Sequence, residues 1–204
     1  MFKQGIKDIM KNKSKLNSFY YGFPVFLVTT QDSNGNTNIS AASSSISLGE
    51  KLIIGISKGS KTWHNLMAGS DAVINIPDHT QWEKVEQIGR LTGGDTLSEA
   101  QTKWGVEICH DKFSKSGLHA EASVDVAPPR IAECPIQAEC RLVSTSDKGR
   151  FILAELDIVN LWVDDHLLGE NGMVDSTKWK PLIFNFREYD TVGSALGFNV
   201  KYGH

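Results

Sequence analysis

The sequence has little of what marks the more specialised classes of protein. Only 3 of its 204 residues are cysteine. They stand at 109, 134 and 140, an odd number with no CxxC pair, which argues against a disulfide framework and a structural zinc site. Three reduced thiols are expected. Cys109 adjoins His110 and precedes His119, but one thiol and two imidazoles without ligand spacing give no metal site. No apolar run approaches the roughly 18 residues of a membrane-spanning helix. The opening MFKQGIKDIMKNK has neither the apolar core nor the small-residue cleavage site of a secretory signal. A cytoplasmic protein that crosses no membrane is expected.

An excess of one charge is missing too: 21 basic residues face 24 acidic ones, for a net charge of −3. The one basic concentration, Lys7, Lys11, Lys13 and Lys15, reads as the solvated face of an opening helix over 4–16, with Ile6, Ile9, Met10 and Leu16 at roughly helical spacing. With no basic stripe to follow a phosphate backbone, nucleic acid is not an expected partner. The GxxxxGK[ST] spacing of a Walker loop is absent, and the serines are not read as a Ser-His-Asp site.

What is present is ordinary globular material. Hydrophobic residues make up 40% and charged residues 22%, usual proportions for a packed domain. No repeat, low-complexity tract or linker divides the chain, so 1–204 reads as one domain. The β-branched run Val25–Thr30, the turn residues Asp32, Asn34 and Gly35, and then Thr37 and Ile39 predict a β-hairpin. KLIIGIS (51–57) predicts a strand, WHNLMAG (63–69) a helix stopped by Gly69, and AVINI a strand closed by Pro77. Two short helices are expected between Thr80 and Lys103, and an antiparallel pair in ECPIQAECRLVSTSD and GRFILAELDIVNLWVD. A last extended run follows in PLIFNFREYD. Strand clusters on either side of a helical insertion predict a mainly β fold, an antiparallel sheet curled into a barrel with a few peripheral helices.

Two stretches carry candidate chemistry. SKGSKTW gathers Ser57, Lys58, Gly59, Ser60, Lys61 and Thr62 where a strand gives way to a helix. Free backbone N–H groups, hydroxyls and a lysine there suit an anion, although Ser60 or Thr62 can equally serve as a plain helix cap. NISAASSSISL sets Asn38 before Ser40, Ser43, Ser44, Ser45 and Ser47. Such small side chains let a flat ligand approach the backbone and offer hydroxyls to its polar edge.

Taken in order, PVFLVTTQDSNGNTNISAASSSISL and KLIIGISKGSKTWHNLMAGSDAVINIP resemble the flavin reductase-like family of FMN-binding split β-barrels, which includes flavoredoxins. The resemblance spans about residues 23–77 and is looser in ECPIQAEC and PLIFNFREYDTVGSALG. It implies that Ser60, Lys61 and Thr62 hold the FMN phosphate, and that Asn38, Ala42, Ser43, Ser44 and Ser45 line the ribityl chain and ring, with Asn75 nearby. LGEKL lacks the proline that often follows the Ser-rich loop in the family, and 80–117 matches nothing in its pattern. No catalytic side chain is implied, since the flavin carries the chemistry. The resemblance implies a homodimer that passes electrons from NAD(P)H through FMN to a flavin, metal or protein acceptor. Two alternatives stay open: a flavoredoxin-like carrier without its own NAD(P)H activity, and a split barrel that binds a ligand other than flavin.

Overall fold

A computed structural model describes residues 11–15 and 19–197 of the chain. Most of the helix expected over 4–16 lies outside the described residues; Lys11 to Lys15 have no regular secondary structure. From the N-terminal side the elements are β1 (Tyr21–Pro24), β2 (Phe26–Gln31), β3 (Thr37–Ala42), β4 (Ser45–Leu48), β5 (Lys51–Ser57), α1 (Lys61–Met67) and β6 (Ala72–Ile76). The middle of the chain holds α2 (Trp82–Gly89), β7 (Leu91–Thr92), α3 (Glu99–Lys103), β8 (Glu107–Ile108), α4 (Lys112–Ser116), β9 (Ala120–Glu121) and β10 (Arg130–Ile131). Two long strands, β11 (Ile136–Lys148) and β12 (Phe151–Val163), and the short β13 (Leu182–Asn185) and β14 (Glu188–Thr191) complete it.

Seven strands form one antiparallel sheet in the order β3-β2-β6-β11-β12-β5-β4. Its two edge strands, β3 and β4, are consecutive in the chain and joined by Ser43 and Ser44 alone. Laid flat, a sheet of that order would hold its edges about 29 Å apart, whereas a two-residue link reaches only about 10 Å. The sheet must therefore curl until its edges meet at the Ser43–Ser44 link.

Alternation along the strands builds two cores. Phe26 and Val28 of β2 join Ile54, Ile56, Ile74, Ala138, Cys140, Ile152 and Leu156 inside the curl, with Leu66 of α1 packed among them. Val25 and Leu27 point the other way, to a second core with Ile39, Val85 and Ile88 of α2, Leu118, Ile131 and Leu182. Because β2 is covered on both faces, it reads as a continuous apolar run rather than an alternating one.

The β2–β3 hairpin forms as expected. Gly35 takes the positive φ of its turn, at 84°, and the Asp32 carboxylate accepts from the N–H groups of Asn34 and Asn36 at 3.0 and 2.9 Å. One strand was not anticipated. The serine-rich stretch read as a loop is the end of β3, the two-residue link and β4, which pairs with β5 from Ser45↔Ile54 to Leu48↔Lys51.

Candidate functional site

The Ser43–Ser44 link and the Ser57–Ser60 turn face each other across a cavity of about 550 Å³, within the usual range for a small-molecule site. One wall is β3 and its link, with Ser40, Ala42, Ser43 and Ser44. Opposite stand Gly55, Ile56 and Ser57 of β5, followed by Ser60 and Thr62 at the start of α1. Ile88 and Gly89 of α2, Tyr20, and Lys148, Phe151 and Leu153 from the tip of the β11–β12 hairpin complete the lining.

Close packing of β5 against the link explains Gly55. Its N–H donates to the Ser44 carbonyl at 2.9 Å, and a Cβ there would lie 3.1 Å from the Ser44 Cβ. The Tyr20 and Ser44 hydroxyls are 2.9 Å apart, which ties β4's approach to the segment before β1.

At the other end the donors are arranged by Asn38. Its amide donates to Ser40 Oγ at 3.2 Å and to Thr62 Oγ1 at 3.0 Å, and the two hydroxyl oxygens are 2.7 Å apart. Each oxygen thus accepts from Asn38, and one hydroxyl hydrogen is spent between them. Thr62 is fully buried whereas Ser40 is half-buried. No donor is wasted when Thr62 donates to Ser40 and Ser40 turns its hydrogen to the cavity. Ser60 caps α1, its Oγ accepting from the Trp63 N–H at 3.1 Å, and its own hydrogen stays free. This end of the cavity offers donors, and suits an acceptor-rich anion.

Between this end and the Ser43–Ser44 link the lining is mostly apolar. A second hollow of about 200 Å³ adjoins the first, lined by Val25, Ala41, Gly89, Phe184 and Tyr189 together with Ala42 and Ser43 of the shared wall. Burial first, and the Glu86 carboxylate next, push the Tyr189 phenol up to about 12. It stays protonated and donates to Glu86 Oε2 at 3.3 Å.

Of the residues expected at the site, Ala42, Ser43, Ser44, Ser60 and Thr62 line the cavity. Asn38 stands behind Ser40 and Thr62. Ser45 lies beyond the lining, paired in β4. Lys61 turns away, its Nζ 3.0 Å from Asp32 Oδ2; the Asn36 N–H first, and Lys61 second, hold the Asp32 carboxyl below the usual carboxylate range. Asn75 is fully buried, its amide spent on the carbonyls of Leu27 and Val73 and its oxygen on the Ile131 N–H. It stitches β6 to its neighbours and does not reach the cavity. Tyr20, Gly55, Gly89, Lys148 and Phe151 were not anticipated; strand pairing brings in Gly55, Lys148 and Phe151, and the packing of α2 and of the segment before β1 brings in Gly89 and Tyr20.

Gly55, Ser57 and Gly59 also carry the G-x-S-x-G spacing of a hydrolase elbow. Ser57 closes an antiparallel strand, however, and among the described residues no histidine hydrogen-bonds it. The spacing makes no hydrolase site here.

A curled antiparallel sheet with its ligand-sized cavity at the edge-joining link defines a split β-barrel. The model of the flavin reductase like domain matches residues 18–193, and the chain belongs to that family. It is 33% identical over 198 residues to the uncharacterized protein YdfE of Bacillus subtilis (strain 168), covering 96% of this chain and 95% of that one. The fold is similar to flavoredoxin of Desulfovibrio vulgaris (Miyazaki F), with a TM-score of 0.80 and 24% identity over 96% of this chain and 100% of that one. Flavoredoxin from Methanosarcina acetivorans follows at 0.77 and 24%, over 95% and 97%. Among the described residues no helix is long and apolar enough to cross a membrane.

Proposed function

We propose that the cavity binds FMN and that the protein is an oxidoreductase taking electrons from NAD(P)H and passing them to a flavin, metal or protein acceptor. The observation that carries this reading is the polarity of the cavity: hydroxyl donors and a lysine at one end, an apolar middle, and the serine link at the other. That donor set fits a flat ring joined to a phosphate. FMN, when bound, supplies the electron-transfer chemistry itself.

The chain's residues bind and orient. Ser40 and Ser60 offer hydroxyls to the anionic end, with Thr62 orienting Ser40 from behind, and Ser43 and Ser44 with their backbone hold the polar edge of the ring. Gly55 and Gly89 let a flat group lie close to the backbone. The adjoining hollow, walled by Phe184 and Tyr189, gives an uncharged planar donor or acceptor a place beside the ring.

Two further parts of the reading concern assembly and place. Ile46 and Leu48 are 57% and 59% exposed on the edge strand β4, which follows the Ser43–Ser44 link. An apolar edge of this kind is covered in a stable protein, which supports a homodimer. A cytoplasmic location is part of the same proposal. Mixing the FMN-loaded protein anaerobically with NADH and with NADPH tests the activity. Fast bleaching of the yellow absorption by either supports an NAD(P)H oxidoreductase; bound flavin that neither bleaches leaves an electron carrier reduced by another protein.

A further inference from the structure

The cation that meets the ligand's phosphate is, we propose, Lys148 at the tip of the β11–β12 hairpin and not Lys61 of the turn. The hairpin tip thereby decides between a phosphorylated and an unphosphorylated flavin. This rests on the flavin reading above.

Three lysines surround the anionic end. Lys58 is ion-paired with Asp147. Lys61 is paired with Asp32 at 3.0 Å, and the two side chains are only 27% and 18% exposed. Its stem is wedged as well: a Cβ on Gly93 would lie 3.2 Å from Lys61 Cγ and 3.3 Å from its Cβ. The lysine fills a separate polar hollow with Asp32, Asn38, Gly93 and His110, where its charge is already neutralised. To reach the cavity it would have to abandon a carboxylate held ionised by the turn's own N–H groups.

Lys148 differs on each count. It lines the main cavity beside Phe151, and among the described residues no carboxylate lies within ion-pairing distance of it. Its place is set by backbone pairing, because Lys148 faces Phe151 across the hairpin and Phe151 faces Ser57 at the end of β5. The Lys58 N–H donates to the Arg150 carbonyl at 3.0 Å, which fastens the hairpin tip to the turn that carries Ser60. An unpaired ammonium at the edge of a donor-lined cavity attracts a dianion more than its neutral analogue, and salt weakens that attraction.

The test is the ratio of FMN to riboflavin affinity, measured by fluorescence titration for the wild type, K148Q, K148R and K61Q. The K148Q ratio should fall about tenfold, as expected for loss of one charge-assisted contact, and K148R should restore it. K61Q should keep the wild-type ratio even if both affinities drop, since a structural loss affects both ligands alike. A ratio that survives K148Q, or that falls with K61Q instead, overturns the assignment while leaving the flavin reading intact. A wild-type protein that binds neither flavin overturns both.

Discussion

Ser40 Oγ and Thr62 Oγ1, from β3 and from the first turn of α1, lie 2.7 Å apart and share the two amide hydrogens of Asn38. The contact joins the serine-rich strand to the turn after β5, so the two stretches that carried the chemical signal in the sequence form a single site. Thr62→Val keeps the shape but leaves one Asn38 amide hydrogen without a partner in a buried place and takes from Ser40 Oγ one of its two donors. The expected cost is about 1–3 kcal/mol, read from chemical denaturation at unchanged m-value. Flavin affinity should fall with it.

Sequence reasoning reached these residues because they sit in short, ordered motifs beside strands of clear period. Where it fell short, the missing information was long-range. β4, Ser-Ile-Ser-Leu, does alternate, but over only four residues inside a serine-rich stretch and with Ile46 and Leu48 exposed; pairing with β5 is what makes it a strand. Lys148 and Phe151 reach the cavity because β12 pairs with β5 from Phe151↔Ser57 to Asp157↔Lys51, a register that no local pattern reveals. Asn75 shows the reverse case. It ends the expected strand, but the side chain points to the β10 side, where Ile131 claims it.

Lys112 gives a pH test. It is only 3% exposed, and its Nζ donates to the Ile39 carbonyl at 2.7 Å, directly behind the cavity wall. Burial brings the ammonium down to about 8, partly opposed by the Cys109 thiol. Below that pH the lysine is charged in both folded and unfolded chains, and its burial weighs fully against folding. Between pH 8 and about 10.4 the folded chain loses the proton first, the unfolded chain binds more protons, and stability rises. Lys112→Met should therefore exceed the wild type by most at neutral pH. The gap should shrink by about 3 kcal/mol as pH climbs through that window, measured by denaturant titration at several pH values.

Glu139 is the one buried carboxylate among the described residues. Fully buried, it accepts from the N–H groups of Val124 and Asp125 at 3.1 and 2.9 Å, from Asn160 at 3.1 Å and from Trp162 Nε1 at 2.9 Å. Burial alone would raise its carboxyl, but these donors outweigh it and lower it. Arg130, whose guanidinium carbon lies 4.6 Å from the centre of the Trp162 ring, closes the cluster. Glu139→Gln turns an amide donor against donors already in place. Loss of about 3–5 kcal/mol is expected, with flavin affinity preserved in whatever fraction stays folded. A denaturation midpoint within error of the wild type would remove the cluster from the account of stability.

The central claim, that the donor-ended cavity at the Ser43–Ser44 link holds FMN, is tested most directly by titrating flavin-free protein with FMN and recording absorption and flavin fluorescence. The account predicts saturable uptake of one FMN per chain, with a shifted flavin spectrum, weakened by Thr62→Val. A protein that leaves the spectrum and fluorescence of added FMN unchanged across the titration would contradict it.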